Sequence, residues 1–266
     1  MQRLGQHFLS NDLVLRKIVG ALALESGGLV IEIGPGRGAL TIPLAAACNA
    51  AGCDLVAIEK DASLASALVV QFAPMAATEI VQGDALKVLP SVIATAAKKR
   101  KDYLVVGNIP YYITGKLLRI LSETTIKPQQ CLLMVQREVA ERMCAVAPAM
   151  NRLSASVQFW AEAKIIAMVP RQDFTPPPKV DSAVVLLAKK SVPLPIAPER
   201  YYRAARAVFS QPRKTILNNI SAAMTGIPKS EIETLLEKAK IKPENRPQDL
   251  SIEQIAAIAR TMGITL

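Results

Sequence analysis

LVIEIGPGRG, residues 29–38, is a short apolar run followed at once by a glycine-rich turn. The run is almost continuously apolar, as expected of a strand that is buried on both faces of a sheet. Gly34, Gly36 and Gly38 allow a tight turn and a close approach of the backbone to a ligand. A dinucleotide fingerprint would need a further glycine at position 39, where this chain has Ala39. The stretch therefore predicts a buried strand that ends in a structural or a ligand-binding turn.

Further apolar runs follow, at intervals that leave room for a helix between neighbours. In chain order they are DLVAIE (54–59), TEIVQ (78–82), YLVVG (103–107) and CLLMVQ (131–136). Helical crossovers between buried strands predict a doubly wound α/β fold whose sheet is mostly parallel. The runs AKIIAMV (163–169) and SAVVLLA (182–188) are expected to form an antiparallel pair at one edge of that sheet.

The composition changes after Lys190, where SVPLPIAPE (191–199) contains three prolines and is typical of a linker. Only helical patterns follow, at about 200–211, 213–225, 229–239 and 251–262. From Lys189 onward the chain has 13 Lys or Arg against 7 Asp or Glu, a net charge of +6. We therefore expect a ligand-binding domain at 1–190 and a small, basic, all-helical domain at 191–266.

The whole chain has 32 Lys and Arg against 22 Asp and Glu, a formal charge of +10. This excess favours an anionic partner, either nucleic acid or an acidic membrane surface, although ordinary basic proteins share it. Four cysteines without a CxxC pair and a single histidine, His7, make a metal site unexpected. The N-terminal residues lack an apolar signal segment, and no apolar stretch is long enough to span a bilayer. We therefore expect a cytoplasmic protein with no membrane partner.

Acidic residues stand at the ends of two predicted strands. Glu59 ends the second strand, and Asp84 follows the third. Ligands of open parallel sheets bind beyond the carboxyl ends of the strands. There Glu59 could accept hydrogen bonds from the hydroxyls of a ribose, and Asp84 from an exocyclic amine such as that of adenine. Each could instead cap the following helix, but together with Gly34 they predict a nucleoside pocket.

NIPYYI, residues 108–113, stands at the end of the fourth predicted strand. Asn108 offers an amide oxygen, and Pro110 restricts the backbone so that neighbouring carbonyls can point into a cleft. Tyr111 offers an aromatic face beside these acceptors, whereas we assign no role to Tyr112. The combination predicts a site for a flat heterocycle with an amino group, and an ordinary turn with core tyrosines is the alternative.

These residues stand in motifs that resemble the ribosomal RNA adenine dimethyltransferase family, and in particular its bacterial type, which modifies small-subunit ribosomal RNA. The likeness covers nearly the whole chain. Its motifs are LGQHFLSND (4–12), EIGPGRGALT (32–41), AIEKD (57–61), GDAL (83–86), NIPYYIT (108–114), MVQREVAERM (134–143), FTPPPKVDSAV (174–184), FSQPRKTILNN (209–219) and NRPQDLS (245–251). Each motif is modest alone, but their order and spacing are specific.

The resemblance implies a Rossmann-like class I methyltransferase sheet that binds S-adenosylmethionine and releases S-adenosylhomocysteine. By similarity, Gly34 lines the methionine end of the cofactor, Glu59 holds the ribose hydroxyls and Asp84 binds the adenine amine. His7 and Leu9 belong to a segment that closes over the cofactor.

The same resemblance implies the catalytic residues Asn108, Tyr111 and Phe174. Asn108, which also borders the cofactor, and the carbonyl of Ile109 would accept hydrogen bonds from the amine of the target adenine. Tyr111 would stack on one face of the flipped base and Phe174 on the other. Two acceptors beside the amine favour a pyramidal nitrogen, so positioning and electrostatics can replace a strong general base.

The activity implied is N6,N6-dimethylation of two adjacent adenines near the 3′ end of small-subunit ribosomal RNA, linked to maturation of the subunit. We expect a monomer that acts on this RNA or on the pre-ribosomal small subunit. Basic residues that could meet phosphate are KKRK (98–101), Arg200, Arg203, Arg206 and Arg213-Lys214. The alternatives are a large-subunit methyltransferase of the antibiotic-resistance type and a non-catalytic RNA-binding assembly factor. The glycine spacing and NIPYY disfavour a nicotinamide dehydrogenase.

Overall fold

A seven-stranded mixed sheet forms the centre of this computed structural model, which describes residues 7–99 and 102–261. In chain order the strands are β1 (Phe8–Leu9), β2 (Leu29–Ile33), β3 (Asp54–Glu59), β4 (Thr78–Gln82), β5 (Tyr103–Asn108), β6 (Gln130–Gln136), β7 (Ala161–Val169), β8 (Phe174–Thr175) and β9 (Ser182–Lys189). β1 and β8 form a separate two-stranded ladder, and the other seven strands form the main sheet. The apolar runs predicted as strands are all confirmed, with ends shifted by at most two residues. The short strands β1 and β8 were not predicted.

The order of the strands opens a crevice at the centre of the sheet. That order is β4-β3-β2-β5-β6-β9-β7, and β2 pairs in parallel with both β3 and β5. The chain moves outward from β2 to β4 and then returns to the other side of β2 as β5. At such a switch point the connections after β2 and β5 leave in opposite directions, so a ligand can enter between their carboxyl ends. β9 runs antiparallel to β6, which confirms the predicted mixed sheet with an antiparallel edge.

Helices connect the strands and form the C-terminal part of the chain. They are α1 (Asp12–Gly20), α2 (Thr41–Ala51), α3 (Ala62–Phe72), α4 (Ala85–Lys98), α5 (Thr114–Glu123), α6 (Arg137–Cys144), α7 (Arg152–Gln158), α8 (Pro198–Val208), α9 (Ile216–Ala223), α10 (Lys229–Lys238) and α11 (Ile252–Thr261). Asn11, Asp61 and Asp84 begin α1, α3 and α4, because their side chains accept hydrogen bonds from the first-turn N–H groups. The helices predicted for the C-terminal region are confirmed as α8 to α11, with ends shifted by up to three residues.

A hydrophobic cluster packs α1, α2 and α3 against the sheet. Leu104 and Val106 of β5 belong to it as alternate residues, which point to the same face of a strand. Leu15 of α1, Leu44 of α2 and Leu68 of α3 are buried in the same cluster. Burial of one such side chain stabilises the fold by about 1.5–3 kcal/mol. This packing therefore fixes β2 and β5 and, with them, the crevice at their ends.

The described chain divides into two compact units. One contains the described residues up to Ala140 together with Ala163–Lys189, and the other contains Glu141–Glu162 and the described residues from Lys190 onward. The second unit therefore includes a segment, 141–162, that the predicted boundary at residue 190 assigned to the first domain. Within that unit the ring of Phe159 stacks on Tyr201 with centroids 4.2 Å apart, which explains why the segment joins the helices. The functions that the resemblance implies for the two domains, binding of S-adenosylmethionine and catalysis by 1–190 and RNA binding by 191–266, stay predictions.

Candidate active site

The glycine-rich turn after β2 lies against the N-terminal strand. Gly34 and Gly36 have positive φ angles of 70° and 60°, which side chains disfavour. A Cβ atom at Gly36 would lie 2.9 Å from Cε1 of Phe8. The guanidinium carbon of Arg37 lies 4.6 Å from the centre of the same ring. A side chain at position 36 would therefore push β1 away from the turn.

Glu59 joins the end of β3 to this turn and is only 4% exposed. Its Oε2 accepts a hydrogen bond of 2.9 Å from the N–H of Gly36, and its Oε1 accepts one of 2.8 Å from the N–H of Asp61. Each carboxylate oxygen has two lone pairs, so both oxygens retain acceptor capacity. The carboxylate can therefore shape the turn and bind hydroxyl groups of a ligand at the same time.

Asp84 has both of the roles that the sequence left open. It caps α4, since its Oδ1 accepts a hydrogen bond of 3.0 Å from the N–H of Leu86, and it also lines a cavity. Its Oδ2 lies 3.2 Å from Nζ of Lys60. Burial acts to raise the pKa of the Asp84 carboxyl, but the bond from Leu86 and the charges of Lys60 and Lys87 outweigh burial and lower the pKa. Asp84 is therefore an ionised acceptor at neutral pH.

The side chains after β5 are held by two other segments. The Nδ2 atom of Asn108 donates a hydrogen bond of 2.8 Å to the carbonyl of His7, which leaves the amide oxygen as the acceptor that Asn108 can offer a ligand. The hydroxyl of Tyr111 lies 2.9 Å from Oγ of Ser182, the first residue of β9. Tyr112 is 62% exposed at the rim. Asn108 and Tyr111 are thus fixed in place before any ligand binds.

A cavity of about 300 Å³ brings most of the predicted site residues together. Cavities of roughly 300–1,000 Å³ are typical of small-molecule sites. The lining includes every residue predicted to bind the cofactor: His7, Leu9, Gly34, Glu59, Asp84 and Asn108. It also includes Tyr111, so two of the three predicted catalytic residues, Asn108 and Tyr111, lie in the cavity. The cavity lies at the switch point of the sheet, where the strand order places a ligand site.

Phe174 does not line this cavity, although it pairs with Leu9. Its side chain is 3% exposed and belongs to the hydrophobic cluster that contains Leu9 and Leu15. It is not among the residues that line the cavity. We expected the ring to lie across the cleft from Tyr111, but in this structure apolar packing holds it in the core. Its stacking role stays a prediction, and it requires the ring to leave that cluster.

Glu32, the fourth of the five residues of β2, lines the cavity but was not among the predicted site residues. It is 1% exposed, and its Oε2 has no hydrogen-bond partner. Burial, with a smaller contribution from the charge of Glu59, raises the pKa of Glu32 to about 8. The nearby hydroxyl of Thr41 opposes this in part, although it makes no well-formed hydrogen bond. The signal in the sequence was a carboxyl group inside the apolar run LVIEI.

Replacing Glu32 with glutamine is expected to flatten the pH dependence of stability in the unliganded protein. The folded state holds a proton on Glu32 that the unfolded chain loses above pH 4.5, so wild-type stability falls as the pH rises from 4.5 to about 8. At pH 8 the variant should exceed the wild type by about 2–4 kcal/mol in free energy of unfolding, and near pH 4.5 by much less. Urea unfolding at several pH values measures this, with the exposed Glu25→Gln as the control. Parallel curves for Glu32→Gln and the wild type would contradict the prediction.

No group of three or more His, Cys, Asp or Glu side chains that could hold a metal ion occurs among residues 7–99 and 102–261. Within the same ranges, none of the helices has the length and apolar character needed to cross a membrane. Cys48, Cys53 and Cys131 are buried.

Solved structures that share this fold include methyltransferases. A dimethyladenosine transferase from Plasmodium falciparum superposes with a TM-score of 0.79 and 26% identity, over 96% of this chain and 98% of that chain. The 23S rRNA methyltransferase ErmE has a TM-score of 0.74 and 23% identity, over 96% of this chain and 99% of its own, a likeness of fold alone. Fold and site together define the class of this protein, a Rossmann-like methyltransferase.

The sequence as a whole identifies the family. The family model described as "Ribosomal RNA adenine dimethylase" matches residues 1–262, and the chain belongs to this family. Proteins named "Ribosomal RNA small subunit methyltransferase A" are similar in sequence to this chain. The relative from Dehalococcoides mccartyi strain 195 is 38% identical over 94% of this chain and 84% of its own length. The relative from Moorella thermoacetica is 38% identical over 97% of this chain and 91% of its own. The resemblance found from the motifs is confirmed, and the chain is an rRNA adenine dimethyltransferase.

Proposed function

We propose that this enzyme dimethylates the N6 amines of two adjacent adenines near the 3′ end of small-subunit ribosomal RNA, with S-adenosylmethionine as the methyl donor. The observation that carries the proposal is the cavity that Asn108 and Tyr111 share with Glu59 and Asp84. The first pair suits an aminated base, and the second suits the nucleoside part of the donor. The names of the relatives support the small subunit as the source of the RNA.

The cavity residues fit S-adenosylmethionine. When bound, this compound supplies an electrophilic methyl group on a sulfonium. Glu59 would accept hydrogen bonds from the ribose hydroxyls through the lone pairs that Gly36 and Asp61 do not use. Asp84 would accept from the adenine amine once Lys60 shares or vacates Oδ2. Oε2 of Glu32 is buried without a hydrogen-bond partner, and the amino group of the methionine part would provide one.

The target adenine would bind at the Asn108 side of the cavity. The amide oxygen of Asn108 and the carbonyl of Ile109 would accept the two amine hydrogens, which keeps the nitrogen lone pair available for the methyl group. The ring of Tyr111 would stack on one face of the base and compensate for stacking lost from the RNA. No strong general base is needed, because the proton can leave after the methyl group has been transferred.

Basic residues of the helical unit support an RNA partner. Arg203 and Arg206 are exposed on α8, and Arg213 and Lys214 lie in the exposed loop 210–214. Exposed basic side chains can bind phosphate, and such contacts make affinity sensitive to salt. Of the predicted run KKRK, Lys98 and Lys99 are exposed, and positions 100 and 101 lie outside the described residues.

The basic loop 210–214 is held by a buried asparagine. Asn219 is 1% exposed, and its Oδ1 accepts hydrogen bonds of 3.1 Å from Oγ of Ser210 and from the N–H of Gln211. Its Nδ2 donates to the carbonyl of Gln211, also at 3.1 Å. The loop therefore presents Arg213 and Lys214 from a defined backbone, which supports a binding role for them.

The alternatives find no specific support. A large-subunit methyltransferase would share this fold, as the likeness to ErmE illustrates, but that likeness concerns the fold alone. A non-catalytic assembly factor has no need for the shared cavity of Asn108, Tyr111, Glu59 and Asp84. The cytoplasmic location and the monomeric state stay predictions, and sedimentation analysis would test the second.

Mass spectrometry of ribosomal RNA after incubation with isotopically labelled S-adenosylmethionine tests the proposed function. Small-subunit particles that lack the modification should gain four labelled methyl groups on two adjacent adenines, because each adenine receives two. Large-subunit RNA in a parallel incubation should gain none. Label in large-subunit RNA alone would favour the first alternative, and binding of RNA without any methyl transfer would favour the second.

A further inference from the structure

The strand β1, which lines the cavity, pairs with β8, which carries Phe174. Among the described residues, their antiparallel ladder pairs Phe8 with Thr175 and Leu9 with Phe174. Isolated two-stranded ladders are marginally stable in water, and this one is shorter than most. Its position therefore depends on the packing of Leu9 and Phe174 in the hydrophobic cluster and on contacts at its ends.

At one end, residues 10 and 11 are bonded to Asp173. The N–H and Oγ of Ser10 donate to the carbonyl of Asp173 at 2.8 and 3.0 Å. Nδ2 of Asn11 donates to Oδ2 of Asp173 at 2.9 Å, a side-chain bond across 162 residues. Oδ1 of Asn11 caps α1 by accepting from the N–H groups of Leu13 and Val14. A single amide therefore joins the start of α1 to the start of β8.

At the other end, His7 connects the same two segments and the catalytic side of the cavity. Its Nδ1 lies 2.7 Å from the carbonyl of Pro176, and its own carbonyl accepts the bond from Asn108. The segment 7–11 is therefore bonded at both ends to 173–176 and in between lines the cavity. A displacement of one segment must move the other.

We propose that Asn11 and Asp173 are positioning residues that join the cofactor side of the active site to its target-base side through the β1–β8 ladder. The inference rests on the proposed function, which assigns the cavity to S-adenosylmethionine and the Asn108 side to adenine. A ligand that orders β1 also orders β8, so each ligand raises the affinity for the other by the same factor. Such factors are typically about 5- to 150-fold, and we expect about tenfold here.

The variant Asn11→Asp isolates the bond to Asp173. Aspartate caps a helix about as well as asparagine, so the start of α1 is preserved. The donor to Asp173 is replaced by a second carboxylate, which repels the first and opens the ladder at this end. We expect the coupling factor to fall from about tenfold to less than about twofold.

The exchanged variant Asn11→Asp/Asp173→Asn, in which the two side chains trade positions, is the decisive test. It restores one amide and one carboxylate in reversed positions and keeps the wild-type net charge. The new amide at position 173 can then donate to the new carboxylate at position 11, so the coupling should return to within about twofold of the wild-type factor. Asn49→Asp, at an exposed position of α2, adds the same charge elsewhere and should leave the coupling unchanged.

Calorimetry with S-adenosylhomocysteine, with and without small-subunit RNA, measures the coupling in all four proteins. Loss in the single variant and recovery in the exchanged variant would support the inference. Equal coupling in Asn11→Asp and the wild type, or no recovery on exchange, would overturn it even if the enzyme methylates RNA normally. Wild-type protein that binds no S-adenosylhomocysteine would instead overturn the proposed function, and the inference with it. If Asn11→Asp fails to fold, Asp173→Ala removes the bond without repulsion and must show the same loss.

Discussion

Replacement of Asn108 by alanine is expected to lower the rate of methyl transfer by about 10²- to 10³-fold, the usual effect of removing one preorganised polar contact to a reacting group. The variant loses the amide oxygen that accepts from the target amine. It also loses the Nδ2 bond to the carbonyl of His7, so binding of S-adenosylhomocysteine should weaken by less than about tenfold. Single-turnover transfer of labelled methyl groups to small-subunit particles measures the first effect, and calorimetry the second.

One further variant separates the roles of the two amide atoms. Asn108→Asp keeps acceptor oxygens but loses the donor to His7, so it should retain more activity than Asn108→Ala. Asn49→Ala, at an exposed position of α2, is the matched control and should behave as the wild type. Near-normal transfer by a folded Asn108→Ala protein would remove Asn108 from the catalytic residues.

The strands of the main sheet could be predicted from the sequence because each contains an apolar run. β2 and β3 are almost fully buried, whereas the edge strand β4 is only partly buried. LVIEI, DLVAIE and TEIVQ coincide with β2, β3 and β4. Because those strands are parallel, their carboxyl ends lie at the same edge of the sheet, and Glu59 and Asp84 therefore line the same cavity. Strand periodicity and strand-end chemistry were therefore sufficient to assemble most of the cavity.

The ladder of β1 and β8 could not be predicted in this way. Two-residue strands have no period to detect, and their pairing joins positions far apart in the sequence. The burial of Phe174 depends on that pairing, so the motif FTPPPK alone could not place its ring. Glu32 was missed for a different reason, since its chemistry lies in being buried without a partner, and burial is a property of the fold.

Replacement of Glu59 by alanine is expected to lower the affinity for S-adenosylmethionine by about 10²- to 10³-fold, the second large effect. Hydrogen bonds to a charged group contribute about 1.5–3 kcal/mol each, and the ribose would lose its acceptor for both hydroxyls. The same change leaves the N–H groups of Gly36 and Asp61 without their acceptor, so the glycine-rich turn should loosen and the free energy of unfolding should fall by about 1–3 kcal/mol. Calorimetry and urea unfolding measure the two losses.

Glu59→Gln should fall between alanine and the wild type in both measurements. Its single amide oxygen can satisfy one of the two N–H groups, and its NH₂ group must face the other. Glu79→Gln, at an exposed position of β4, is the matched control, because it makes the same chemical change without touching the cavity. Wild-type affinity in Glu59→Ala would show that the ribose is held by other residues. A loss of affinity in Glu59→Gln without a loss of stability would separate direct binding of the ribose from support of the turn.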